Sequence, residues 1–200
     1  MSIATYLAGL LNASGLLPVS KINATGTPGA SNFLRGDGSW NAAGGITSGT
    51  AVATTSGTSI DFTGIPSTAR RVTLMFSGFS TSGTSLLRMQ LGAGSIDTGA
   101  TYLGDAVQIH TGATGSTFAG ATGFDVMNNF AACLLNGIAT FTLVGSNTWV
   151  FNFVGGSTGQ QLVLVSGGSK ALSGALDRVR ITTVNGTDTF DAGSVNILYE

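Results

Sequence analysis

The sequence predicts an all-β protein: an antiparallel β-sandwich or jelly roll, preceded by a short N-terminal helix and an extended connector. Three observations carry that prediction. The 200 residues include 31 glycines and only 3 prolines, and glycine costs roughly 1 kcal/mol against alanine in a helix, while the abundant serine and threonine compete for helical hydrogen bonds. Short runs of alternating apolar and polar residues recur from Gly45 onward, each closed by a glycine-containing turn. Hydrophobic residues reach 42%, with 11 phenylalanines, which supplies the core that a disordered Gly/Ser/Thr-rich chain lacks.

Residues 1–17 form the predicted helix. Ile3, Tyr6, Leu7, Leu10 and Leu11 recur at i, i+3, i+4, i+7 and i+8, which places them on one helical face. A helix of about three turns is marginal alone, so this stripe calls for a partner surface: a second copy or a larger assembly, or, as the alternative, its own domain.

Residues 18–45 read as an extended connector, with Pro18, Pro28 and a scatter of small residues. Within it, Phe33 and Trp40 bracket Arg35-Gly36-Asp37-Gly38. The Gly-Asp-Gly centre is turn chemistry, because glycine tolerates positive φ and aspartate bonds its own backbone. A tight turn presenting the two aromatics is expected, and this explains the Arg-Gly-Asp tripeptide without a cell-adhesion role.

Residues 46–200 form the predicted sandwich. Candidate strands are Ser59 to Thr63, Arg70 to Phe76, Thr84 to Leu91, Asp105 to His110, Ile138 to Val144, Thr148 to Val154, Gln160 to Val165, Leu176 to Val184 and Ser194 to Tyr199. Val72, Leu74 and Phe76 share one face, as do Trp149, Phe151 and Phe153. Gly145-Ser146-Asn147 reads as a three-residue hairpin loop. The stretch from Ile96 to Phe130 is irregular, and the longest loops are expected there.

Composition excludes several classes. A net charge of −1, with no basic cluster beyond Arg70-Arg71 and Arg178/Arg180, leaves no footprint for nucleic acid. Ser2 to Ser20 lacks a basic leader and a cleavage signal, and no apolar run is long enough to insert in a membrane. The single cysteine, Cys133, can form no internal disulfide and is expected to be free and buried, which fits a reducing cytoplasm. Asn12, Asn23 and Asn185 head glycosylation sequons, which would matter only in a eukaryotic secretory protein.

Chemistry-bearing patterns are few. With one histidine and one cysteine, no Cys/His metal cluster can form, and His110 has no Gly-x-Ser-x-Gly elbow to serve. Neither Lys21 nor Lys170 lies in a phosphate-binding glycine loop. The reading is therefore no enzyme, no catalytic residue, no metal and no cofactor. Asp97, Asp105 and Asp125 could supply a carboxylate pair for glycan hydrolysis, the remote alternative. Tyr102 beside Asp105, with Asp97 and His110 nearby, is the best candidate cluster for contacting a receptor, since a sugar site needs an aromatic face and polar groups. So few charges would leave a monomer with much weakly polar surface, which points to oligomerisation.

Lys21-Ile22-Asn23-Ala24-Thr25-Gly26-Thr27-Pro28, followed by Phe33-Leu34-Arg35-Gly36-Asp37-Gly38-Ser39-Trp40, resembles the connector of many bacteriophage tail fibre and tail-tip proteins. The remainder is similar to a C-terminal domain of such virion proteins in Ile60-Asp61-Phe62-Thr63-Gly64-Ile65-Pro66, Arg71-Val72-Thr73-Leu74-Met75-Phe76 with Ser80-Thr81-Ser82-Gly83-Thr84, and Thr189-Phe190-Asp191-Ala192-Gly193-Ser194-Val195-Asn196-Ile197-Leu198-Tyr199. The resemblance implies a homotrimeric virion appendage, made in the host bacterium's cytoplasm and located on the tail. It would be attached to other virion proteins through Ile3, Tyr6, Leu7, Leu10, Leu11, Phe33 and Trp40, and would contact a bacterial surface glycan or protein. Without a long shaft it would be a short fibre or tip; the alternative is a head-decoration, neck or baseplate protein that binds no receptor.

Overall fold

The computed structural model describes residues 11, 13, 14, 16–18, 21–29, 32–42, 45–110, 113–131 and 133–200. Its chain divides into two compact units, Met1–Gly45 and Ile46–Glu200. Most of the predicted helix, including Ile3, Tyr6, Leu7 and Leu10, lies outside the described residues; Leu11 is described and exposed.

In the first unit the connector is not simply extended. It contains an antiparallel pair, β1 (Asn32–Leu34) and β2 (Trp40–Ala42), in which Leu34 faces Trp40 and Phe33 faces Asn41. The turn is the predicted one. Asp37 Oδ1 accepts from the Ser39 amide at 3.0 Å and from Ser39 Oγ at 2.6 Å, and Gly38 takes φ 78°. These hydrogen bonds from Ser39 hold the Asp37 carboxyl below its usual range. Because directly opposed residues share a face, Phe33 and Trp40 fall on opposite faces of this ribbon.

The second unit contains β3 (Thr47–Ser48), β4 (Val52–Ala53), β5 (Ser59–Thr63), β6 (Arg71–Thr81), β7 (Leu87–Ala93), β8 (Ser95–Ile96) and β9 (Leu103–His110). It continues through β10 (Ala113–Ala119), β11 (Phe124–Val126), β12 (Leu134–Gly145), β13 (Thr148–Thr158), β14 (Leu162–Ala171), β15 (Arg178–Thr183) and β16 (Phe190–Tyr199). The larger sheet runs β10-β9-β14-β13-β12-β6-β16-β3, with β4 also on β16; the smaller runs β11-β7-β15-β5, with β8 on β7. Every pairing between these strands is antiparallel. The fold is therefore all-β and consistent with a β-sandwich.

Period-two alternation builds the core. Val72, Leu74 and Phe76 of β6 and Trp149, Phe151 and Phe153 of β13 are all buried, and Met89, Leu91, Val179 and Ile181 are buried on the smaller sheet. The two sheets meet through aromatic rings. Phe124 of β11 stacks on Phe151 of β13 with centroids 4.5 Å apart, and Phe141 and Tyr102 close around Phe124 at 6.0 and 5.0 Å. Bare backbone makes room for that stack: a Cβ on Gly168 would come within 3.0 Å of the Phe124 ring and 2.3 Å of the Leu103 carbonyl oxygen. Cys133 is free and buried.

Three expectations are corrected. The stretch from Ile96 to Phe130 is largely strand, holding β9, β10 and β11. The β12–β13 loop has two residues, because Gly145 pairs with Thr148 after a register shift. Ser146 and Asn147 both take positive φ, 47° and 60°, as a type I′ turn requires to match strand twist. The strand expected over Thr84 to Leu91 starts at Leu87, and several others run longer than their apolar cores suggest.

Candidate functional site

The four predicted receptor contacts separate. Asp105 and His110 lie on β9 at positions of opposite parity, so Asp105 points to the outer face of the larger sheet and His110 to the other. Asp97 and Tyr102, in contrast, meet at Lys170, which the sequence marks only as lying outside any phosphate-binding loop. Lys170 of β14 is only 2% exposed. Its ammonium pairs with Asp97 Oδ2 at 2.8 Å, donates to Thr101 Oγ1, and lies 4.5 Å from the centre of the Tyr102 ring.

Tyr102 is buried and offers no ring to a ligand, which corrects its assignment as a contact residue. Its hydroxyl accepts from the Leu91 amide at 2.9 Å and donates to the Asp97 carbonyl at 2.9 Å, so it ties the segment between β8 and β9 to β7. Burial pushes its hydroxyl well above the ordinary tyrosine range. The hydrogen bond from Lys170 holds the Asp97 carboxyl below the usual range. This arrangement is a clamp with its charges spent on each other. The signal for it was parity: Leu162 and Leu164 point inward, and continuing the alternation through Ser166 and Gly168 turns Lys170 inward too.

The outer face of the smaller sheet collects three of the six ion pairs among the described residues. Arg88 grips Asp125 at 2.7 and 2.9 Å and reaches Thr122 Oγ1 at 2.6 Å; Arg180 grips Asp61 at 2.7 and 2.6 Å. Arg178 grips Asp177 at 2.8 and 3.0 Å, which lowers the Asp177 carboxyl and raises the guanidinium. Registers place Asp61, Arg180 and Gln90 in one cross-strand row, and Ser59, Thr182, Arg88 and Asp125 in the next. Beside them opens a cleft of about 320 Å³ lined by Ser59, Arg88, Gln90, Arg180, Thr182 and Asn185, among others. Each arginine is braced by a bidentate carboxylate, so the cleft offers fixed donors and acceptors with little net charge. That suits a neutral, hydroxyl-rich ligand better than an anion.

The outer face of the larger sheet is its opposite. Met75, Ile138, Val154, Val165 and Val107 stand directly opposite one another across β6, β12, β13, β14 and β9, forming one unbroken apolar row. Ile138 is 52% and Val154 57% exposed. Val163 and Ile109 extend the patch on one side; on the other, Val150 and Leu103, the latter 70% exposed, stand beyond an intervening polar row. The neighbouring row on one side is polar or small, running Thr73, Thr140, Asn152, Gly167 and Asp105, and on the other Asn136 and Gly156 lead into Val163 and Ile109. The central strands β12, β13 and β14 present no charged side chain on this face; Asp105 stands on β9 and Arg71, with its ion-pair partner Glu200, on β6.

The three aspartates weighed for hydrolysis are dispersed. Asp97 holds Lys170, Asp125 is buried against Arg88, and Asp105 stands on the outer face of the other sheet. Among the described residues no group of three or more His, Cys, Asp or Glu could hold a metal, and no helix is long and apolar enough to cross a membrane. In the first unit, Phe33 is exposed and Trp40 half-buried. Comparison of the chain with family models, curated proteins and solved structures returns no match.

Proposed function

We propose that the protein is a non-catalytic structural subunit of a bacteriophage virion, assembled as a homotrimeric short tail fibre or tip that contributes to host attachment. One observation carries the reading: the two outer faces of the sandwich are chemically opposite. The uncharged apolar row through Val154 has the character of a surface covered in an assembly, because soluble monomers rarely expose contiguous apolar patches of such extent. The braced polar cleft at Arg88 and Arg180 has the character of a surface that stays wet and meets hydroxyl-rich ligands. The residues of the 21–40 connector and of the β-domain that resemble phage appendage proteins point to the same setting, with Leu11, Phe33 and Trp40 as attachment residues.

Adsorption tests this. Purified protein added to host cells should compete with infection, and antibody to the protein should label the tail. Competition lost on Arg180→Ala, with the fold intact, assigns the receptor role to the cleft. Labelling of the head, neck or baseplate without competition would replace the fibre by a decoration or connecting element.

A further inference from the structure

We infer that the outer face of the larger sheet is covered by the same face of further copies of this chain, arranged about an axis parallel to the strands. The inference deepens the assembly part of the proposed function and rests on it only for the expected number of copies.

Extent is the first argument. From β9 to β16 the sheet spans six strands, about 24 Å at a strand spacing of about 4.8 Å, and eight residues of strand, the length of β9, cover about 26 Å. The product, about 630 Å² per copy or about 1,260 Å² between two copies, falls within the roughly 1,200–2,000 Å² of a stable interface. Alignment is the second. The row of Ile138, Val154 and Val165 runs across the strands, so an axis parallel to the strands sets it at the same height as the row of a neighbouring copy, apolar against apolar.

Charge placement fixes the direction of the axis. Asp105 and Arg71 lie two strands from β13 on opposite sides, on β9 and β6, and their rows are adjacent, about 7 Å apart along the strands. Rotation about an axis parallel to the strands preserves height and brings the β9 side of one copy to the β6 side of another. Each Asp105 then comes within reach of a neighbour's Arg71, whose five N–H donors can serve it together with Glu200. A three-fold axis does this as well as a two-fold, and the three-fold is what the trimer requires.

The experiment is the native mass of the full chain against concentration, for the wild type, Val154→Lys, Asp105→Arg and, as a control on the smaller sheet, Thr63→Lys. Val154, Asp105 and Thr63 are exposed, and circular dichroism with a melting curve confirms that each variant folds. The expected result is a wild-type and Thr63→Lys trimer, dissociated to monomer by Val154→Lys and weakened at least tenfold by Asp105→Arg. A dimer abolished by Val154→Lys would support the covered face and overturn the trimer of the proposed function. A wild type that stays monomeric at high concentration, or an oligomer indifferent to Val154→Lys, would overturn the inference and leave the adsorption test to decide attachment.

Discussion

Asp97 meets the ammonium of Lys170 at 2.8 Å from the open side of a pocket whose floor is the Tyr102 ring. The lysine is enclosed and the aspartate partly open, so the two charges differ in what their loss would leave behind. Removing the aspartate strands a buried cation. Hydrogen bonds to charged groups contribute about 1.5–3 kcal/mol. Asp97→Asn should therefore destabilise the protein by about 2 kcal/mol, read from urea midpoints at unchanged slope. Adding Lys170→Met should recover much of the loss, because no unpaired charge then remains.

The same pair gives a pH dependence with a definite sign. Lys170 lowers the folded-state pKa of Asp97 below its ordinary 3.8. In that range the unfolded chain binds more protons than the folded one, so stability rises with pH. The contribution is fully present above 3.8 and is lost as pH falls through the lowered folded value. Melting curves from pH 7 downward should show the wild type and Asp97→Asn well separated at neutral pH and converging in acid.

The β12–β13 turn should be sensitive to residue shape. With φ of 60° at Asn147, a β-branched side chain is driven into the left-handed region, which costs roughly 1–2 kcal/mol. Asn147→Val should lose that amount in chemical denaturation. Asn147→Gly should stay within about 0.5 kcal/mol of the wild type, since glycine accepts the angle but has more freedom to lose on folding.

Two adjacent glycines of β14 should behave differently. A Cβ on Gly168 would strike the Leu103 carbonyl at 2.3 Å and the Gly104 Cα at 2.8 Å, both backbone atoms that cannot step aside. A Cβ on Gly167 would meet only the Phe151 carbonyl oxygen, at 3.8 Å. Gly168→Ala should cost about 1–3 kcal/mol through overpacking. Gly167→Ala should be nearly neutral, and parallel urea titrations of the two variants separate the cases.

Where strands carry large apolar side chains at alternate positions, the sequence was legible. Val72, Leu74 and Phe76 declared β6, and Trp149, Phe151 and Phe153 declared β13. The sequence Ala-Thr-Gly-Ser-Thr-Phe-Ala of β10 declared nothing, because small residues hide the period, and pairing with β9 makes it a strand. Asp97 and Tyr102 are grouped by the sequence as exposed contacts, whereas Tyr102 is buried and Asp97 only partly open. What gathers them is Lys170, which is far away in sequence and arrives through the β14–β9 register. The apolar outer row was hidden for the same reason: Ile138, Val154, Val165 and Val107 align only when four strands are in place.

The position of β16 has a kinetic consequence. It lies between β6 and the short strands β3 and β4, and it meets β6 across more than a hundred residues of chain. Until it emerges from the ribosome, β6 offers one bare ladder of amides and carbonyls to any strand that drifts past. Contacts of such separation close slowly, in milliseconds to seconds for sheet proteins of this kind. During synthesis the nascent protein therefore passes through a state with an open hydrogen-bonding edge, in which β6 of one polypeptide is available to another, and chaperone protection should matter most in that interval.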